Sequence, residues 1–213
     1  MTTLQEYLNE KYPTEEDKEK VKKINISAIL ARLMQKQDFK PQNPEESLDL
    51  SEYKNLESLS LNECKITKIE IGDLPNLTNL TLTHNYLTSV EFLNQLSNPK
   101  KLETLVIGSN NIQPTDIEVF SRFVNLKELK IGTTSIGLEK GKRNKFYGFF
   151  KSWKNLTKLT KICIEATDVN EGLEYLPSSL KKIYEVDCQS HNTNAKCSAI
   201  QNELRPFNYD LEA

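Results

Sequence analysis

The apolar positions of this chain recur in a fixed spacing. Leu77, Leu80, Leu82, Asn85 and Leu87 read L-x-x-L-x-L-x-x-N-x-L. The spacing returns upstream at Leu56, Leu59, Leu61, Cys64 and Ile66, and downstream at Leu102, Leu105, Ile107, Asn110 and Ile112. Further copies run through Leu126, Leu129, Ile131, Thr134 and Ile136, and through Leu159, Ile162, Ile164, Thr167 and Val169. Degenerate copies open at Val21, Ile24 and Ile26 and at Leu180 and Ile183. The L-x-L centre alternates apolar and polar residues, the period of a strand with one buried face. So short a strand cannot bury its own leucines, so the copies are predicted to stack in parallel around a shared core. The ninth motif position turns the chain out of the strand. The amides of Asn85 and Asn110 are expected to bond backbone groups left unpaired there, with Thr134 and Thr167 as weaker replacements.

Between these strands the pattern changes. Thr3-Leu-Gln-Glu6 reads as a capping box opening a short helix, and a second, charged helix is predicted over Thr14 to Lys23. Leu4, Tyr7 and Leu8 are expected on the core side of the first helix, the two helices covering the end of the first strand, Ile24-Asn-Ile26. Ile29, Leu30, Leu33 and Met34 have helical spacing before a loop holding Pro41 and Pro44. The opening leucines stand 21, 25 and 24 residues apart, and then 33 apart between Leu126 and Leu159. The longer repeats have room for helical turns over Val90–Leu96 and Asp116–Phe123. Cys197 to Leu204 is predicted to form a closing helix.

On these motifs the chain resembles the leucine-rich-repeat family, over roughly Val21 to Cys188. The resemblance implies an α/β leucine-rich-repeat solenoid, a right-handed superhelix with a concave parallel β-sheet, a helical N-terminal cap and a short C-terminal cap. The expected layout is a cap over residues 1–20, about seven repeats over 21–190 with an enlarged one at 126–158, and a C-terminal cap and tail over 191–213. Phrases such as Leu48-Asp-Leu-Ser-Glu-Tyr-Lys-Asn-Leu56 and Gly172-Leu-Glu-Tyr-Leu-Pro177 are also similar to the intracellular repeat proteins numerous in mycorrhizal fungi.

That family binds protein partners on its concave face. The strand residues expected to point outward there are Asn25, Ser60, Thr81, Val106, Lys130, Cys163 and Tyr184. Asn62, Thr83, Gly108, Gly132 and Glu165 lie beside them on the turn side. Most are small, which predicts a shallow groove able to accept a partner's helix or loop. Lys127, Lys130, Lys161, Lys181 and Lys182 make its C-terminal half basic, a charge that steers acidic partners.

Composition narrows the field further. Among 213 residues the formal charge is -2, which makes no overall case for nucleic acid. No apolar run is long enough to cross a bilayer, and the first residues carry none of the apolar core of a signal peptide. The four cysteines are too scattered for a disulfide framework, although Cys188 and Cys197 could approach each other. A reduced, cytoplasmic setting is therefore expected.

The segment from Lys140 to Lys154 mixes cations with rings, as binders of single-stranded nucleic acid and membrane surfaces do. Lys142, Arg143, Lys145, Tyr147 and Lys151 would carry such contacts with RNA or phospholipid. The competing expectation is packing, with Phe146, Phe149 or Phe150, and Trp153 covering the convex side at helical spacing. Catalysis finds no constellation: the two histidines, His84 and His191, stand apart from the cysteines, and no nucleophile-elbow, phosphate-loop or zinc motif occurs. The sequence therefore predicts a monomeric, non-enzymatic scaffold for a protein partner, with no cofactor and no metal.

Overall fold

The computed structural model describes residues 3–27 and 46–184. The helix expected around Ile29–Met34, the Cys188–Cys197 pairing and the C-terminal cap lie outside the described residues.

In chain order the strands are β1 (Lys23–Ser27), β2 (Glu46–Asp49), β3 (Ser58–Asn62) and β4 (Ile66–Glu70). They continue with β5 (Asn79–Thr81), β6 (Thr104–Val106), β7 (Thr115–Asp116) and β8 (Glu128–Lys130). The last are β9 (Phe146–Phe149), β10 (Lys161–Cys163), β11 (Asp168–Glu171) and β12 (Lys182–Tyr184). Seven of them form one parallel sheet in the order β1-β3-β5-β6-β8-β10-β12. Its register is set by the motif leucines: Ile24, Leu59, Leu80, Leu105, Leu129, Ile162 and Ile183 are successive partners across it. All seven are 0–4 % exposed, so the repeats share one continuous core. The returning segments lie on the opposite side, where β2 pairs β4 and β9 lies between β7 and β11. Helical turns occupy Glu91–Gln95 and Ile117–Phe120, inside the spans the spacing predicts.

Helix α1 (Leu4–Lys11) is closed by the Thr3–Glu6 capping box and buries Leu4 and Leu8. Helix α2 (Glu15–Glu19) has a second box, Thr14 with Asp17. It is shorter than predicted because Lys23 already belongs to β1, paired with Ser58. The α1 helix packs beside β2, where the Gln5 side-chain oxygen accepts from the Asp49 N–H at 2.8 Å.

The ninth-position side chains form a ladder through the core. The Asn85 amide donates to the Leu61 carbonyl at 2.8 Å and Asn110 to Leu82 at 2.9 Å, and each side-chain oxygen accepts a backbone N–H from the preceding repeat, Cys64 and Leu87 respectively. Cys64 takes this place with a weak S–H contact to Ile26. The residue just before the ladder is left-handed in four repeats: Glu63, His84, Ser109 and Ala166 have φ of +55° to +57°. That conformation costs a non-glycine residue about 1–2 kcal/mol; the amides help offset it by holding the turn from inside.

The fourth repeat corrects the sequence alignment. Asn144, not Thr134, is its ladder residue: it donates to Ile107 and Ile131 carbonyls at 2.9 Å and accepts from the Ile112 N–H at 3.2 Å. Phe146, fully buried, then takes the apolar place expected of Ile136, which is 54 % exposed. Residues 134–143 are thus an insertion in the turn, ahead of the ladder residue. Its helix α3 (Ser135–Glu139) is capped by Thr134. Phe146, Phe150 and Trp153 are all buried, as the packing expectation required, but on a strand and a tight turn rather than on one helix. The Trp153 indole N–H donates to the Ile117 carbonyl at 3.0 Å.

Candidate interaction surface

The strand side chains that alternate with the buried leucines form two in-register rows on the seven-stranded sheet. The row that follows the motif leucines is Asn25, Ser60, Thr81, Val106, Lys130, Cys163 and Tyr184. Ser60, Thr81, Val106, Lys130 and Tyr184 are partly exposed, as are Asn62 and Thr83 on the turn side. The Thr83 hydroxyl and the Asn62 side chain bond each other at 2.6 Å, so this part of the face is pre-ordered.

Four of the expected surface residues sit below the surface. Gly108, Gly132, Cys163 and Glu165 are buried. The two glycines answer to backbone crowding. A Cβ on Gly108 would stand 2.5 Å from the Gly132 carbonyl oxygen, and one on Gly132 would stand 2.4 Å from the Glu165 nitrogen. They let neighbouring turns touch and do not floor an open groove. Burial pushes the Cys163 thiol up to about 11, leaving it protonated near neutrality.

The lysines of the C-terminal half are unequal. Lys127 is held by Glu103 at 2.7 Å and Lys130 by Glu128 at 2.5 Å. Lys130 also lies over the Tyr184 ring, 4.2 Å from its centre, with Lys182 at 5.0 Å from the same ring. Burial works to lower the pKa of Lys130, but Glu128 and Tyr184 outweigh it and raise it, so its ammonium stays charged.

The inserted segment borders this face along its turn edge. It folds back toward the N-terminus over three preceding repeats. Thr134 meets Ser109 at 3.1 Å, Lys142 donates to the carbonyls of His84 and Asn85 at 2.7 Å each, and Lys140 reaches Glu63 at 3.4 Å. The Lys142 ammonium lies 4.0 Å from the Tyr86 ring centre and is buried, which pulls its pKa down to about 8. No sequence signal marked Asn144 or this clasp beyond an unassigned N-x-F after the extra residues.

The basic-aromatic segment divides between two environments. Arg143 is engaged by Asp168 at 2.6 Å and by the Ala166 carbonyl at 3.0 Å, and Lys142 is spent on the clasp. Lys145, Tyr147 and Lys151 are exposed on the convex side. Asp116 and Asp168 are the register partners of Tyr147 on either side, so two carboxylates flank it. Lys151 lies 6.0 Å from the Tyr175 ring, which packs against Phe149.

Among the described residues no three His, Cys, Asp or Glu side chains are grouped to hold a metal ion. No helix among them is long and apolar enough to cross a membrane. His84 is half-buried, and burial, assisted by Lys142 and Lys140 against the opposing effect of Glu63, lowers its pKa.

A family model described as Leucine Rich repeats (2 copies) matches residues 54–98, the span that carries β3, β4 and β5. Comparison with curated proteins finds no match.

Proposed function

This chain is a leucine-rich-repeat protein, and from that premise we propose that it is a non-enzymatic, cytoplasmic scaffold which docks one protein partner on its concave sheet. Repeats of this kind generally mediate protein–protein interaction. The observation that carries the reading is the neutral, partly exposed block Ser60, Asn62, Thr81, Thr83 and Val106, presented by strands whose own leucines are wholly committed to the core. A solenoid spreads such a surface over many repeats without any one needing to move. The contact surface is narrower than the sequence implied, because Gly108, Gly132, Cys163 and Glu165 lie beneath it. The chain acts as a monomer in this reading.

The test is affinity capture with Thr81→Glu and Val106→Glu combined. Thr81 and Val106 are direct cross-strand partners, so the two glutamates repel by up to about 1 kcal/mol; the array should stay folded with a thermal midpoint only slightly lowered while capture of the partner is lost. Undiminished capture by the folded double variant would remove the proposal.

The second reading, RNA or phospholipid binding through Lys142, Arg143, Lys145, Tyr147 and Lys151, draws on the exposed Lys145, Tyr147 and Lys151. It is weaker, since Lys142 and Arg143 are engaged internally and Asp116 and Asp168 flank Tyr147. Absence of binding to RNA or anionic vesicles at low salt would dispose of it.

A further inference from the structure

We propose that the C-terminal end of the concave sheet, where Lys130 and Lys182 lie over the Tyr184 ring and Lys161 stands opposite Lys182, is the docking site for a carboxylate-rich segment of the protein partner. The inference rests on the concave-face reading and adds the chemistry of what is bound.

The face changes character along its length. On β3, β5 and β6 the two outward rows hold Ser58, Asn79 and Thr104, and Ser60, Thr81 and Val106, with no charge among them. On β8, β10 and β12 the same rows hold Glu128, Lys161 and Lys182, and Lys130, Cys163 and Tyr184. Lys161 and Lys182 are direct cross-strand partners. Like charges placed so are destabilising in a sheet. Lys130 adds a third ammonium from the strand beyond, brought over the Tyr184 ring beside Lys182. The ion-paired carboxylate on these rows is Glu128, already bonded to Lys130. Glu128 is also the register partner of Lys161, so three ammoniums stand against this one carboxylate; the rows keep a local surplus of positive charge, and an anion relieves it.

The kind of anion follows from the groups present. Adjacent strands lie about 4.8 Å apart, so the three ammoniums fall within roughly 10 Å, a span that two or three neighbouring carboxylates of a peptide match. The site is made of lysines; the planar fork that grips phosphate in two bonds belongs to arginine. Arg122 and Arg143 are committed elsewhere, to the Leu96 carbonyl and to Asp168. The Tyr184 ring carries two ammoniums and is not a free platform for a nucleobase. An acidic protein segment fits these features better than RNA does.

The probe is a dye-labelled peptide of consecutive glutamates, compared with its all-glutamine counterpart and with a labelled single-stranded RNA of similar charge, each followed by fluorescence anisotropy. The glutamate peptide should bind at low salt and the glutamine peptide should not. Combining Lys161→Gln with Lys182→Gln should weaken the glutamate peptide roughly ten-fold, and Lys151→Gln on the convex side should leave it unchanged. Because the double change removes a like-charge pair, the fold should not suffer, and the melting midpoint checks this. No binding of the glutamate peptide at low salt, indifference to the double change, or tighter RNA binding lost in the same variant would each overturn the proposal. Should it fail while Thr81→Glu with Val106→Glu still abolishes partner capture, concave docking stands and only its acidic chemistry falls.

Discussion

The Lys142 ammonium donates to the carbonyl oxygen of His84 at 2.7 Å, across two repeats and 58 residues of sequence. It thereby ties the insertion to a turn whose own residue is left-handed, at φ +57°. The side chains of both residues are titratable and both are driven toward their neutral forms. Burial first, and Lys140 after it, lowers Lys142 from 10.5 to about 8. A native state that holds a lysine below its ordinary pKa is penalised at neutral pH, and the penalty fades as pH rises toward the unfolded value. The stability of wild type relative to Lys142→Met should therefore increase from about pH 7 to about pH 10 in urea titrations. A constant difference would show that the ammonium is not confined. For His84 the sign is the same: its stability contribution is whole above its ordinary 6.5 and is lost as pH falls through the lowered value. Lys142→Met should raise the His84 pKa, read by NMR titration, because one nearby positive charge is gone.

Asn144 is expected to matter far more than Thr134. Asn144→Ala takes a buried partner from the Ile112 N–H and the Ile131 carbonyl, while the Ile107 carbonyl keeps the Asn110 amide at 2.9 Å; the loss is roughly 2–4 kcal/mol. Thr134→Ala removes a helix cap and a partly buried bond to the Ser109 hydroxyl, about 1 kcal/mol. Equal losses in chemical denaturation would return the ladder position to Thr134.

The strands were legible because their signal is local: an alternating L-x-L places Leu59, Leu80, Leu105 and Leu129 in adjacent strands whatever the intervening lengths. The insertion was not, because Thr134 and Ile136 happen to fall at the motif's spacing, while the residues that serve, Asn144 and Phe146, follow ten positions later. Packing decides between them, since Phe146 can fill the core and Ile136 is left outside. The concave face was half legible. Alternation tells which side of the sheet a residue takes, but not that Gly108 and Gly132 face a neighbour's backbone, which depends on how close the turns lie.

The two kinds of glycine in this region should behave differently. Gly132→Ala drives a methyl against the Glu165 backbone, which cannot yield as a side chain could; the expected cost is at least about 2 kcal/mol. Gly141 has φ +70° and nothing within 4 Å of a Cβ, so Gly141→Ala meets only backbone strain, about 1 kcal/mol. Thermal denaturation of the two variants separates crowding from strain, and a harmless Gly132→Ala would contradict the close approach of these turns.

The proposed docking of a protein on the concave sheet can be read by site-specific photocrosslinking. A photoreactive phenylalanine analogue is placed at Thr81 on the concave face or at Lys151 on the convex side, and the folded proteins are irradiated in native extract. A discrete crosslinked species from position 81, absent from position 151 and competed away by unlabelled chain, is the expected result. Crosslinking from position 151 alone, or none from position 81 while the partner still co-purifies, would contradict it.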